Sequence, residues 1–249
     1  MSDIAKSLLV LLVSTILVHL VYIGYVRPEA DLLLEAARQA GQSAPRDLAI
    51  VLKDYEQEIC FILMLWGGYL ILSKCRSIIK NDYLFTVDLI EAGSDENFSP
   101  EAAIERLDTE LTKDRGSSPL IQTIRTALWR YAGTRNVQNL SDAVESSVEA
   151  IAVRQDAENS MIRYLIWAIP SIGFIGTVRG IGNALSLADR ALAGDIAGMT
   201  NSLGVAFNST LVALLISILL MFLFHQLQRL QDGQLVDIQD YCDKYLLAR

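Results

Sequence analysis

Apolar positions along this chain gather into four runs separated by polar or amphipathic stretches. The first covers residues 8–26, where His19 is the one side chain able to carry positive charge. As a helix of about 19 residues it can cross a bilayer, which takes roughly 20. The second run, residues 59–73, lies between Glu58 and Lys74. At about 15 residues it is short for a span, and Tyr55 and Lys74 would extend it by interfacial anchoring and snorkelling. The third run covers residues 164–188 and the fourth residues 203–224. None of the four contains an aspartate or a glutamate.

The polar stretches predict further helices. Arg27-Pro28 predicts the end of the first span, because the residue before a proline is steered away from helical geometry. Residues 27–58 form a polar to amphipathic connector with Gly41 and Pro45 near its middle. Residues 74–160 hold no membrane-length run and show turn signals at Gly93-Ser94, Ser99-Pro100, Gly116-Ser117-Ser118-Pro119 and Gly133-Thr134. Ser99-Pro100-Glu101-Ala102 has the form of a helix start, with a serine cap, proline in the first turn and an acid after it. Leu120, Ile121, Ile124, Leu128 and Tyr131 recur at helical spacing. No glycine or proline interrupts the chain from Ser141 to Ile169, so the third span is predicted to continue a long polar helix. In the tail, Leu227, Leu230, Leu235, Ile238 and Tyr241 give one more amphipathic helix.

These readings predict an all-α integral membrane bundle with four transmembrane helices and a helical cytoplasmic region. Its expected segments are an N-terminus and first span at 1–26, a connector at 27–58, and a second span at 59–73. A helical region at 74–160, a third span at 161–190, a loop at 191–202, a fourth span at 203–226 and a terminal helix at 227–249 complete it. Lys74, Arg76 and Lys80 follow the second span directly, which sets that end in the cytoplasm and with it both termini; the connector and the loop then lie outside. Arg27 opposes this orientation singly.

Composition narrows the chemistry. A net charge of −8 over 249 residues argues against nucleic-acid binding, which needs clustered Lys and Arg. Within 74–160, ten basic residues face fifteen acidic ones, as expected of a solvated surface. Cys60, Cys75 and Cys242 fit neither a disulfide framework nor a zinc site, and no spacing suggests any metal or cofactor. No nucleophile–base, metalloprotease or phosphate-loop pattern occurs, so an enzyme is not expected.

On the third span Pro170, Gly173, Thr177, Gly180 and Ala184 share one face, and Gly176 with Gly180 makes a small-xxx-small pair. On the fourth, Ala206, Thr210, Ala213 and Ser217 form a stripe flanked by Asn208 and Ser209. Close packing accounts for the glycines, and hydroxyls bonded back to helix carbonyls could account for the second stripe. Thr177 among glycines, with Thr210 on the next antiparallel span, points instead to a shared polar lining. Thr177 and Thr210 lead as ion-path candidates; Ser209, Asn208 and Ser217 are weaker. Arg179, the one charge deep in the third span, either snorkels or meets a partner carboxylate or a wet vestibule. His19 reads as packed against a neighbour and His225 as interfacial. Since the spans carry no acid, a partner would supply the titrating group.

Ile169-Pro170-Ser171-Ile172-Gly173-Phe174-Ile175-Gly176-Thr177-Val178-Arg179-Gly180-Ile181 resembles the third-helix signature of the MotA/TolQ/ExbB proton-channel family. Leu203-Gly204-Val205-Ala206-Phe207-Asn208-Ser209-Thr210-Leu211-Val212-Ala213-Leu214-Leu215 resembles its last-helix signature. The resemblance covers residues 155–230. It implies a homo-oligomeric ring, about five-fold, in the bacterial inner membrane. The ring would surround single-span partners similar to MotB, TolR or ExbD, each carrying a membrane aspartate. Residues matching Thr177 and Thr210 would face that aspartate, and flow of H+ or Na+ would turn the ring. No cofactor beyond the transported ion is implied. The pattern departs in two places: Val205 stands where TolQ-like and ExbB-like members carry a glutamate, and Arg179 stands where an aromatic or aliphatic residue is usual. Two rival readings stay open. One is a non-conducting membrane scaffold that recruits proteins through its cytoplasmic helices. The other is a small-molecule transporter, disfavoured by the lack of internal repeats.

Overall fold

A computed structural model describes residues 3–40, 45, 47–90, 99–111, 118–194 and 196–247. The turn signals expected at Gly41, Gly93-Ser94 and Gly116-Ser117 lie outside them. Every regular element among the described residues is helical. Four helical segments are long and apolar enough to cross a membrane: Ala5–Ala37, Tyr55–Thr86, Val137–Ser186 and Ala197–Leu247. The chain divides into two compact units, one made of residues 1–72 and 161–225, the other of 73–160 and 226–249.

The first unit holds the apolar runs. Helix α1 (Asp3–Val21) does not stop at Arg27-Pro28 as the proline suggested. A π-helical turn over Tyr22–Val26 follows it, and α2 (Arg27–Gln39) continues directly. In the wider turn Arg27 N–H bonds to the Tyr22 carbonyl, five residues back. That register relieves the clash a proline ring makes with the carbonyl four residues before it, so the chain passes Pro28 without breaking. Leu8, Leu9, Leu12, Val13, Ile16 and Leu17 on α1 are exposed, which suits a lipid-facing helix. Val18, Tyr22 and Val26 turn inward against Leu52, Phe61 and Ile62. Ala30 on α2 packs with Ala49 and Ile50 of the short α3 (Leu48–Leu52).

Helix α4 (Tyr55–Asn81) has 27 residues, well beyond the apolar run at its centre, and at 1.5 Å per residue it is about 40 Å long. Asp47 caps α3 by accepting from Ala49 N–H at 2.8 Å. Gln57 ties α3 to α4: its Oε1 accepts from Asp54 N–H at 2.8 Å and its Nε2 donates to the Val51 carbonyl at 2.7 Å.

The second unit is a helical domain. Its core gathers Leu107, Ile124, Leu128, Val144, Ile238 and Tyr241 from α5 (Pro100–Leu111), α6 (Pro119–Thr134) and the distal parts of α7 (Val137–Ser186) and α9 (Ala197–Cys242). Helix α5 starts at the predicted proline, and Ser99 Oγ accepts from Ala102 N–H at 3.4 Å. Tyr241 Oη accepts from Leu89 N–H at 2.8 Å and donates to the Val87 carbonyl at 3.0 Å. The third apolar run does continue a long helix, the 50-residue α7. The fourth run and the tail likewise form one helix, α9, followed by a π turn at Asp243–Leu247, with no break near residue 227. Between α7 and α9 lies the short α8 (Ala188–Leu192), and Gly194 at φ 101° turns the chain back, a conformation that favours glycine.

Candidate functional site

Within the first unit, α7 meets α9 through small residues. A Cβ placed on Gly173 would lie 2.5 Å from Ala213 Cβ and 3.0 Å from the Ser209 carbonyl oxygen. On Gly176 it would lie 2.5 Å from Ser209 Cβ and 2.7 Å from Ser209 Oγ. On Gly180 it would lie 2.6 Å from the Ala206 backbone nitrogen. At all three positions the nearest separation is far below a carbon contact distance of roughly 3.5–4 Å, so only glycine permits this approach. The residues predicted to share the α7 face therefore meet the predicted stripe on α9. In lipid, where apolar surface gives no drive for helices to associate, such close backbone packing supplies the attraction.

The polar groups in this contact serve identifiable backbone needs. Pro170 has no N–H, so the Ile166 carbonyl, four residues before it, has no helical donor. Ser217 Oγ donates to that carbonyl at 2.9 Å. Ser209 is fully buried and bonds back to the Val205 carbonyl at 2.9 Å. Cys60 on α4 donates its thiol to the Ile169 carbonyl at 3.7 Å.

Thr177 and Thr210 stand differently. Their hydroxyls are hydrogen-bonded to each other across the helix pair. Thr177 Oγ1 also lies 3.0 Å from the Ala206 carbonyl, and Thr210 Oγ1 lies 3.2 Å from the Gly173 carbonyl. Two hydroxyl protons are shared among these acceptors, so the two oxygens keep lone pairs to spare. Both threonines are half-buried, whereas Ser209 and Ser217 are buried, and Asn208 is half-buried on the flank.

The acids absent from the apolar runs come from the first turn of α4 and from the residue just before it. Arg179 Nη2 bonds Glu56 Oε2 at 2.7 Å and lies 3.6 Å from Asp54 Oδ1. On the opposite side of α4, Glu58 is held by Arg27 and by His19 Nδ1, the latter at 2.6 Å. Positions two apart on a helix point nearly opposite ways, which is why Glu56 reaches α7 while Glu58 reaches the first span. Arg27 also sits 4.2 Å over the Tyr55 ring. Burial pushes the Asp54 carboxyl above its ordinary range, against the pull of Lys53 and Arg179, and its Oδ2 is buried without a hydrogen bond.

Thus Thr177, Thr210, Ser209, Gly173, Gly176 and Gly180 share one contact, with Ser217 bonded to the Ile166 carbonyl that Pro170 leaves open along the same interface. Arg179 is met by carboxylates of this same chain, Glu56 and Asp54. Glu56, Asp54 and Glu58 were missed by sequence reading because they sit in a polar connector by composition. The available signal was the three acids crowded at 54, 56 and 58 ahead of an apolar run, with Arg179 as the one Lys or Arg inside any other run and Arg27 at the end of the first. Among the described residues no group of three or more His, Cys, Asp or Glu is placed to hold a metal ion.

Residues 115–240 match the family described as the MotA/TolQ/ExbB proton channel family. No curated protein and no solved structure matches the chain.

Proposed function

Because the chain belongs to the MotA/TolQ/ExbB proton channel family, we propose that it is the ring subunit of an ion-driven motor in the bacterial inner membrane. It works around a single-span partner of the MotB, TolR or ExbD kind, whose membrane aspartate takes up and releases the ion. The observation that carries this reading is the Thr177–Thr210 hydroxyl pair, set between two closely packed apolar helices with acceptor capacity left over. Hydroxyl oxygens of this kind solvate a passing H+ or Na+ without binding it tightly, which a fixed charge would do. The partner's acid titrates, and the ring, about five-fold, moves relative to the partner as it does. Both termini lie in the cytoplasm, where the second unit stands ready to pass force on. No further cofactor is needed.

The test is native mass spectrometry of the protein purified together with its co-expressed neighbours, followed by ion flux in proteoliposomes. A ring holding a single-span protein is expected. Thr177→Val and Thr210→Val are each expected to abolish flux while the ring stays intact. A ring without partner, or flux unaffected by both substitutions, would leave the non-conducting scaffold as the better account.

A further inference from the structure

An acid absent from every apolar run nevertheless reaches the glycine face of α7. Glu56, in the first turn of α4, leaves only 10% of its side chain accessible. Its stem lies against Gly176, where an added Cβ would come within 3.2 Å of Glu56 Cγ. Gly176 immediately precedes Thr177, and Arg179, two residues beyond it, closes over the Glu56 carboxylate at 2.7 Å. The carboxylate therefore sits beside the start of the polar contact, and the arginine covers it.

Stability alone does not account for this pair. Desolvating two charges costs about as much as their attraction returns, and apolar side chains of similar volume would hold the helices as well or better. Two asymmetries point to a moving part. Arg179 has 40% of its side chain accessible, so it can leave, while Glu56 cannot follow. Asp54 offers it a second seat: one oxygen is already 3.6 Å away, and the other, Oδ2, is buried with no partner. Meanwhile Glu58, fixed by Arg27 and His19, pins the other side of α4, so motion is confined to the arginine.

We propose that Glu56 is this chain's own ion-handling carboxylate and that Arg179 is its latch. A cation arriving at this end of the spans takes the place of Arg179 on Glu56, the guanidinium shifts to Asp54, and the cation passes on to Thr177 and Thr210. The titratable and charged groups around Glu56 are Asp54 and Lys53 before it, Glu58 beyond it, His19 from α1, Arg27 from α2, and Arg179 from α7. Helix α9 brings no ionisable residue between 197 and 224. This inference rests on the ion-motor reading.

The test measures ion flux in proteoliposomes of the partner-bound ring. Glu56→Gln leaves Arg179 without its nearest counter-charge and is expected to cut flux by at least roughly tenfold, with assembly unchanged. Arg179→Gln is expected to lower the cation concentration for half-maximal flux by roughly tenfold. If Glu56→Gln conducts as wild type while Thr177→Val is silent, the latch is overturned and the motor reading stands. If both conduct as wild type, the motor reading falls with it. Should Glu56→Gln fail to assemble, the exchange Glu56→Arg with Arg179→Glu decides. An assembled ring with flux still reduced at least tenfold supports the assignment, because the carboxylate must sit at 56. An exchange that conducts normally makes the pair a simple strut and overturns it.

Discussion

Replacing Gly180 with alanine should force the α7–α9 contact apart. A Cβ at Gly180 would lie 2.6 Å from the Ala206 nitrogen, 2.8 Å from its Cβ and 2.9 Å from its Cα. Carbon contacts are comfortable at about 3.5–4 Å, so the helices must separate by roughly 1 Å. Two of the three opposing atoms are backbone, and no rotamer change removes them. Overpacking of this kind costs about 1–3 kcal/mol. Separation also strains the Thr177 bond to the Ala206 carbonyl, now 3.0 Å, where an interhelical bond in lipid is worth about 0.6 kcal/mol. Against this, alanine gains about 1 kcal/mol of helix propensity over glycine. The net loss is about 1–2 kcal/mol, or a few degrees in melting temperature for a chain of this size. Gly182→Ala is the matched control, since nothing lies within 4 Å of a Cβ there and only the propensity gain remains. Thermal unfolding of both variants in one detergent, followed by circular dichroism, separates them. Gly180→Ala melting at or above wild type would refute the close-approach argument, because propensity would then be the only effect at work.

Two further outcomes follow from the same contacts. Ser217→Ala should destabilise by about 1 kcal/mol in the wild-type background, because the Ile166 carbonyl loses its donor. In a Pro170→Ala background, where a main-chain N–H returns, that cost should shrink toward zero; a double-mutant cycle by thermal unfolding with no coupling between the two sites would rule the pairing out. Asp54→Asn should raise the melting temperature by an amount that grows with pH. Burial raises the folded-state pKa of Asp54 above its unfolded value, so the stability linked to its proton is present below the unfolded pKa and is lost as pH rises through the folded one. Melting curves at pH 4 and pH 8 check this, and a gain of equal size at both would contradict it.

The four apolar helices were legible because a membrane span is written in a contiguous run of sequence, with no need of distant partners. The continuity of α7 was legible for a similar reason, since nothing between Ser141 and Ile169 interrupts it. The shared face of Pro170, Gly173, Thr177 and Gly180 follows from helical spacing, and so does the stripe that meets it. What could not be read was set by more distant or finer features. Pro28 is a local stop signal overridden by a change of hydrogen-bond register that composition does not show. Ser217 satisfies a carbonyl 51 residues away, and the reason lies in a proline on another helix. Glu56 looked like part of a solvated connector because its partner, Arg179, is 123 residues distant. Helix α4 begins at Tyr55, four residues ahead of its apolar run, so the acid lies within the helix that carries the span.

These contacts divide into two kinds that bear differently on any ion-driven motion. The glycine contacts are steric and have one arrangement: α7 and α9 approach to the backbone limit or they separate. They can hold the two threonines in register but cannot respond to a charge. The ion pairs at the start of α4 are the reverse. They are polar and open to competition, and Arg179 has two carboxylates in reach where Glu58 has Arg27 and His19. A passing cation changes the balance at the second kind and leaves the first untouched. The hydroxyl pair sits where the two meet, beside Gly176 and within the rigid contact, so a change in local charge reaches it through electrostatics without the helices having to part. Substitutions in the glycines should therefore alter stability first and flux as a consequence, whereas substitution of Glu56 or Arg179 should alter flux directly.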